Sequence, residues 1–146
     1  MFKQVLPANT KAILALLEKS EIIQKAYLAG GTALALQFGH RISIADIRDI
    51  AAMKIGAVAS RGTKRDFVDL YFICKETVSL PEAVQLYDKK YKNLAATGLH
   101  IMKSLVYFND AEPDEMPKML RPCNWEEVKG FFEQEVKKIA LKDMLK

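Results

Sequence analysis

Three groups of residues have the types and spacing to do chemistry. Gly30-Gly31-Thr32 follows a short apolar run, Ala26-Tyr27-Leu28-Ala29, and opens a second apolar stretch. A glycine pair lets the backbone come close to a phosphate, and a helix start behind it supplies unpaired N–H groups, with the Thr32 hydroxyl beside them. The same pair serves equally in a plain turn. Lys54 and Asp66 form the second group. Lys54 interrupts an apolar stripe of Ile47, Ile50, Ala51 and Val58, and a buried ammonium is costly without a partner. Either it snorkels at the edge of the core or it pairs, with Asp66 as counter-ion; Asp66 also fits as the third-position acid of a helix capped by Thr63. The third group is basic: Arg61, Lys64 and Arg65, with His40 and Arg41. Converging, these make a surface for a triphosphate or RNA; apart, they are a solvated face. Asp46 and Asp49 share a helix face within reach of one cation, or simply favour a helix start through its dipole.

The elements that must position these groups are mostly helices. Asn9-Thr10 caps a first helix, with Ile13, Leu14, Leu16 and Leu17 apolar. Ala26–Ala29 predicts a buried strand ending in the glycine turn, and Thr32 a second helix stopped by Gly39. A third helix starts near Asp46 and breaks at Gly62. Thr63-Lys64-Arg65-Asp66 caps the next, whose inward face is Phe67, Leu70, Tyr71 and Cys74. Ser79-Leu80-Pro81-Glu82 starts another, with proline in the tolerated first turn. Asn93 caps a helix through Tyr107, Asn109 to Pro122 is a loop rich in proline and acid, and Asn124 starts the last helix, with Glu127 at its third position. Trp125 is expected to pack in the core. One strand cannot stand alone, because its backbone groups need partners. Ala26–Ala29 is therefore expected to pair with another chain, or to have lost its neighbours.

In this order, the motifs resemble a known family. Tyr27-Leu28-Ala29-Gly30-Gly31-Thr32-Ala33-Leu34 with Gln37-Phe38-Gly39-His40-Arg41-Ile42-Ser43 resembles the opening motif of the AbiEii/AbiGii-type toxins, members of the nucleotidyltransferase superfamily. Asp49 to Lys54, Ser60 to Tyr71, Leu105 to Glu112 and Met116 to Leu120 resemble the later motifs. The resemblance implies an α+β ancestry, with residues 1–43 the remnant of the nucleotidyltransferase core and 44–146 a helical part. It implies that Gly30, Gly31 and Thr32 hold a nucleoside triphosphate, and that Lys54, approaching its phosphates, and Asp66, sitting beside Lys54, are the catalytic residues. It also implies magnesium, held by an Asp-x-Asp pair on a strand after Ser43, and an antitoxin as partner. That pair is not present: Ser43 is followed by Ile44-Ala45-Asp46-Ile47-Arg48-Asp49. The segment appropriate to the carboxylates is expected to be deleted, leaving transferase activity weak or absent.

Composition bounds the alternatives. The 146 residues are half hydrophobic and about a quarter charged, the balance of a single globular domain. No apolar run reaches the roughly 20 residues of a membrane span, and Met1-Phe2-Lys3-Gln4 does not open a signal peptide. Cys74 and Cys123 lack metal-site spacing, so reduced thiols and a cytoplasmic location are expected. A net charge of +4 is compatible with nucleotide or RNA. Two further readings remain: a non-catalytic helical module that self-associates or, as the resemblance implies, binds an antitoxin, and an RNA-binding module using the basic cluster.

Overall fold

The computed structural model describes residues 43–92, 98–119 and 121–144, together with Tyr27–Leu28 and positions 12, 15 and 16. The chain divides into two compact units, Met1–Ile50 and Ala51–Lys146. Five helices and one pair of two-residue strands are bounded among the described residues, so the protein is predominantly helical. The expected caps at Asn9-Thr10, the Gly30-Gly31 turn and the helix opened by Thr32 lie outside the described residues.

In the first unit β1 (Tyr27–Leu28) pairs in parallel with β2 (Ser43–Ile44), Tyr27 opposite Ser43 and Leu28 opposite Ile44. This corrects the expectation of an orphan strand. The intervening stretch 29–42 is long enough for the crossover that a parallel pair requires. β2 stops after two residues because the chain turns into a helix: Asp46 Oδ1 accepts the Arg48 N–H at 2.7 Å, and Ile50 N–H reaches Asp46 O at 3.0 Å. Asp46 thus satisfies an otherwise unpaired donor at a helix start, the plainer of its two expected roles.

Helix α1 (Ile47–Ser60) carries the predicted stripe, with Ile50, Ala51, Lys54 and Val58 all buried. It ends at Gly62, whose φ of +53° lies in the left-handed region, while Gly62 N–H reaches back to Ala57 O at 3.2 Å. An added Cβ there would lie 3.4 Å from Val58 O. Gly62→Ala should therefore destabilise the protein by about 1–2 kcal/mol. A urea midpoint unmoved by the substitution would rule this out.

Helix α2 (Lys64–Glu76) starts at the Thr63 cap and α3 (Leu80–Lys90) at the Ser79 cap, with Pro81 in the first turn. Both starts fall where the local hydrogen-bonding residues place them. Helix α4 (Gly98–Ser104) ends before the expected Tyr107, and residues 93–97, including the Asn93 cap, lie outside the described residues. The helix stops because the backbone tightens into i→i+3 bonds, Val106 N–H to Lys103 O and Tyr107 N–H to Ser104 O, both 3.2 Å. Helix α5 (Trp125–Met144) begins at Asn124, whose Oδ1 accepts the Glu126 N–H at 2.9 Å.

Phe67 of α2, fully buried, is the hub of the second unit's core. Its ring centroid lies 5.2 Å from Phe108, 5.8 Å from Trp125 and 5.4 Å from Phe132. The tilted and edge-to-face arrangements are those that ring quadrupoles favour. Trp125 is a packing residue, as expected, and this cluster fixes α2 against α5 and the turn after α4. The next residue upstream of Phe67 is Asp66, so the core sets where the polar site stands.

Candidate functional site

The site is assembled on the C-terminal half of α1, the Arg61–Thr63 turn and the first two turns of α2. Asp66 is 0% exposed, a placement that a carboxylate tolerates only when paired and hydrogen-bonded. It is: Lys54 Nζ (3.0 Å) and Arg61 Nη2 (2.9 Å) donate to Oδ1, while Arg61 Nε (2.7 Å) and the Thr63 hydroxyl (2.6 Å) donate to Oδ2. These four donors fill the lone-pair positions of an ionised carboxylate. The Arg61 contact is bidentate, the geometry in which a guanidinium binds carboxylate most strongly. The helix start contributes too, since Thr63 Oγ1 accepts the Asp66 N–H at 3.4 Å.

Burial is the largest single influence on the Asp66 carboxyl and pushes its pKa up. The hydrogen bonds from Arg61, Thr63 and Lys54, with the Lys54 charge, together outweigh it and hold the group well below the usual carboxylate range. At neutral pH Asp66 is an anion, fully used as an acceptor by Lys54, Arg61 and Thr63.

Lys54 does not snorkel. Its side chain is 10% exposed, and its ammonium stands between two carboxylates, Asp66 and Asp69, the latter at 2.6 Å from Asp69 Oδ2. The Asp69 contact is close but off the hydrogen-bonding direction: buried Oδ2 has no hydrogen-bond partner among the described residues. The second partner was missed by sequence reasoning, although a signal was there. Asp69 stands three residues after Asp66 on α2, which puts both on one helix face.

Among the described residues of the basic group, Arg61, Lys64 and Arg65 do not converge as one surface. Arg61 keeps an exposed side chain (64%) but commits two of its nitrogens to Asp66, and Arg65 is exposed. Lys64 is buried. Its Nζ donates to the backbone carbonyls of Glu112 (3.2 Å) and Asp114 (2.6 Å), and it lies 5.2 Å from the centroid of the Trp125 ring. The Lys64 N–H donates to Asp114 Oδ2 at 3.0 Å. Lys64 therefore ties the loop before α5 onto the start of α2, a job that needs a long side chain with several donors and that spacing alone does not reveal. His40, Arg41, Gly30, Gly31 and Thr32 lie outside the described residues.

Around the site, the groups with shifted protonation are structural. Tyr71 OH donates to Glu127 Oε1 at 2.6 Å; this bond, then burial, pushes the phenol up to about 12. Burial foremost pushes the Cys74 thiol up to about 12 and raises that of Cys123. Both cysteines are free and stay protonated at neutral pH, the unreactive state of a thiol.

Among the described residues no group of three or more His, Cys, Asp or Glu side chains is placed to hold a metal ion. Asp66 has no lone pair to spare and Asp69 faces an ammonium, so these carboxylates do not fit a magnesium clamp. No helix among the described residues is long and apolar enough to cross a membrane.

The site is thus a lysine and an aspartate locked together on adjacent helices of a small helical unit. Residues 41–146 match the family model described as "Nucleotidyl transferase AbiEii toxin, Type IV TA system", and the chain belongs to that family. The matched range contains Lys54, Arg61, Asp66 and Asp69 and begins after Gly30-Gly31-Thr32. A 97-residue stretch, 66% of the chain, is 46% identical to an uncharacterized protein of Aquifex aeolicus (strain VF5). That stretch covers 45% of the relative, so the chain spans about half the length of the curated protein it matches. No solved structure matches the chain.

Proposed function

We propose that this chain carries the lysine–aspartate half of a nucleotidyl transferase site, binds the polyphosphate of a nucleoside triphosphate and transfers the nucleotidyl group weakly or not at all. The observation that carries the reading is the Lys54 ammonium, held in the protein by Asp66 and Asp69. Lys54 is the residue the family resemblance assigns to the phosphates. A buried, pre-oriented ammonium binds phosphate without first losing side-chain freedom. Asp66 and Arg61 act through Lys54 and the α1–α2 turn, as positioning residues. Gly30, Gly31 and Thr32 are the residues that the family resemblance assigns to the triphosphate.

Phosphoryl chemistry of this class relies on divalent cations that neutralise charge on the transferring group. When bound, magnesium would supply that neutralisation. No two aspartates of the chain stand two positions apart, so the Asp-x-Asp pair that would hold the ions is absent, and no step through magnesium is assigned here. We infer an internal loss between Ser43 and Asp49 and a full-length relative that is the active enzyme, partnered by an antitoxin. The purified chain, given a labelled nucleoside triphosphate, magnesium and total RNA or protein as acceptor, should retain the nucleotide in equilibrium dialysis and transfer no label. Magnesium-dependent transfer that labels the acceptor over many turnovers would sink the inferred impairment, and absence of nucleotide binding would sink the reading as a whole.

A further inference from the structure

Lys54 has two counter-ions of unlike standing. Asp66 is fully buried and collects donors from three side chains, so its bond to Lys54 is one part of a saturated, directed network. Asp69 is 21% exposed, and its buried Oδ2 meets Lys54 at 2.6 Å without hydrogen-bond alignment. Charge holds that contact; direction does not. A carboxylate with some access to water gives up an ionic contact far more readily than one sealed in the core, because solvent takes over its stabilisation. Asp69 and Arg61 are more exposed than Asp66 and Lys54 itself, so of the two counter-ions Asp69 is the one that solvent and solutes can reach.

We propose that Asp69 is the exchangeable counter-ion of Lys54, displaced when a phosphate oxygen of an incoming polyphosphate takes its place on the ammonium, while Asp66 stays bound throughout. This rests on the reading of Lys54 as a phosphate-binding residue. Two consequences follow from Coulomb's law. Asp69 competes with phosphate for the same cation, and its own negative charge repels the ligand. It is a positioning residue that aims Lys54 ahead of ligand binding and weakens that binding as it does so.

The test is isothermal titration calorimetry of the full chain with inorganic tripolyphosphate, at low salt with EDTA present, for wild type, Asp69→Asn and Lys54→Met. Asp69→Asn is expected to bind at least fivefold tighter than wild type, and Lys54→Met at least tenfold weaker. A merely structural Asp69 would lower the melting temperature and leave affinity unchanged or reduced, which overturns the proposal. If Lys54→Met loses binding and Asp69→Asn gains none, the exchange alone fails. If Lys54→Met binds as wild type does, the phosphate role of Lys54 fails with it. Should Asp69→Asn not fold, Asp69→Ser serves for the same comparison. Wild type also reports without any variant: the Asp69 side-chain carboxyl carbon resonance should move on addition of tripolyphosphate, and a stationary resonance overturns the exchange.

Discussion

Asp66→Asn should destabilise the second unit by about 3 kcal/mol, near the low end of the range for breaking a buried ion pair. The amide keeps the shape of the carboxylate but not its charge, and one of its two heavy atoms is now a donor facing donors. Arg61 Nε and the Thr63 hydroxyl, or Arg61 Nη2 and Lys54 Nζ, lose their acceptor whichever way the amide is turned. The loss stays near the lower bound because Asp69 still holds Lys54 and the exposed Arg61 recovers water. For a unit of this size the thermal midpoint should fall by roughly 10 °C or more. A fall of under 2 °C would show that the network contributes little.

The same residue sets an acid dependence, and its sign is determined. The folded-state pKa of Asp66 is depressed below the unfolded value, so its stabilisation is fully present above an ordinary carboxylate pKa of about 4. It is lost as the pH falls below that value toward the folded-state pKa. Wild type should therefore lose stability steeply below about pH 4, with a shallower loss in Asp66→Asn. Parallel pH profiles for the two proteins would contradict the assignment.

The second large effect belongs to Phe67. Phe67→Ala removes a ring with no exposed surface from among Phe108, Trp125 and Phe132, and should cost about 3–5 kcal/mol through lost burial and the cavity left behind. Partial collapse is opposed on three sides, since the neighbours come from the turn after α4 and from α5 and are held by their own backbones. Because Phe67 follows Asp66 on the same helix, the variant should also loosen the polar cluster. Hydrogen exchange at the α2 amides of residues 66–70 should accelerate along with the global loss. A urea-derived change below 1 kcal/mol would mean that the aromatic cluster is not the core's centre.

The residues themselves determined what depends on near neighbours in the chain. Thr63, Ser79 and Asn124 cap helices at their own positions because a capping hydrogen bond spans only two or three residues. The stripe that places Lys54 inward follows from the helical period, and Gly62 ends α1 because its backbone takes a φ that other residues resist. The ordered motifs were enough to place the chain in its family. The Lys54–Asp66 pairing was legible as one of two options, because a buried ammonium demands a counter-ion somewhere.

Tertiary structure decided what depends on distant residues. β1 finds its partner at Ser43–Ile44, across a crossover whose outcome no local pattern encodes. Lys64 looks like a surface base in a run of Lys and Arg, yet it turns inward because the carbonyls of Glu112 and Asp114, about fifty positions away, converge on it. Asp69 becomes a second counter-ion only when α1 and α2 are packed so that Lys54 falls between two turns of α2. Helical spacing says which side chains share a face. Only the packing of one face against another says which charges meet, and on that meeting the chemistry of Lys54 depends.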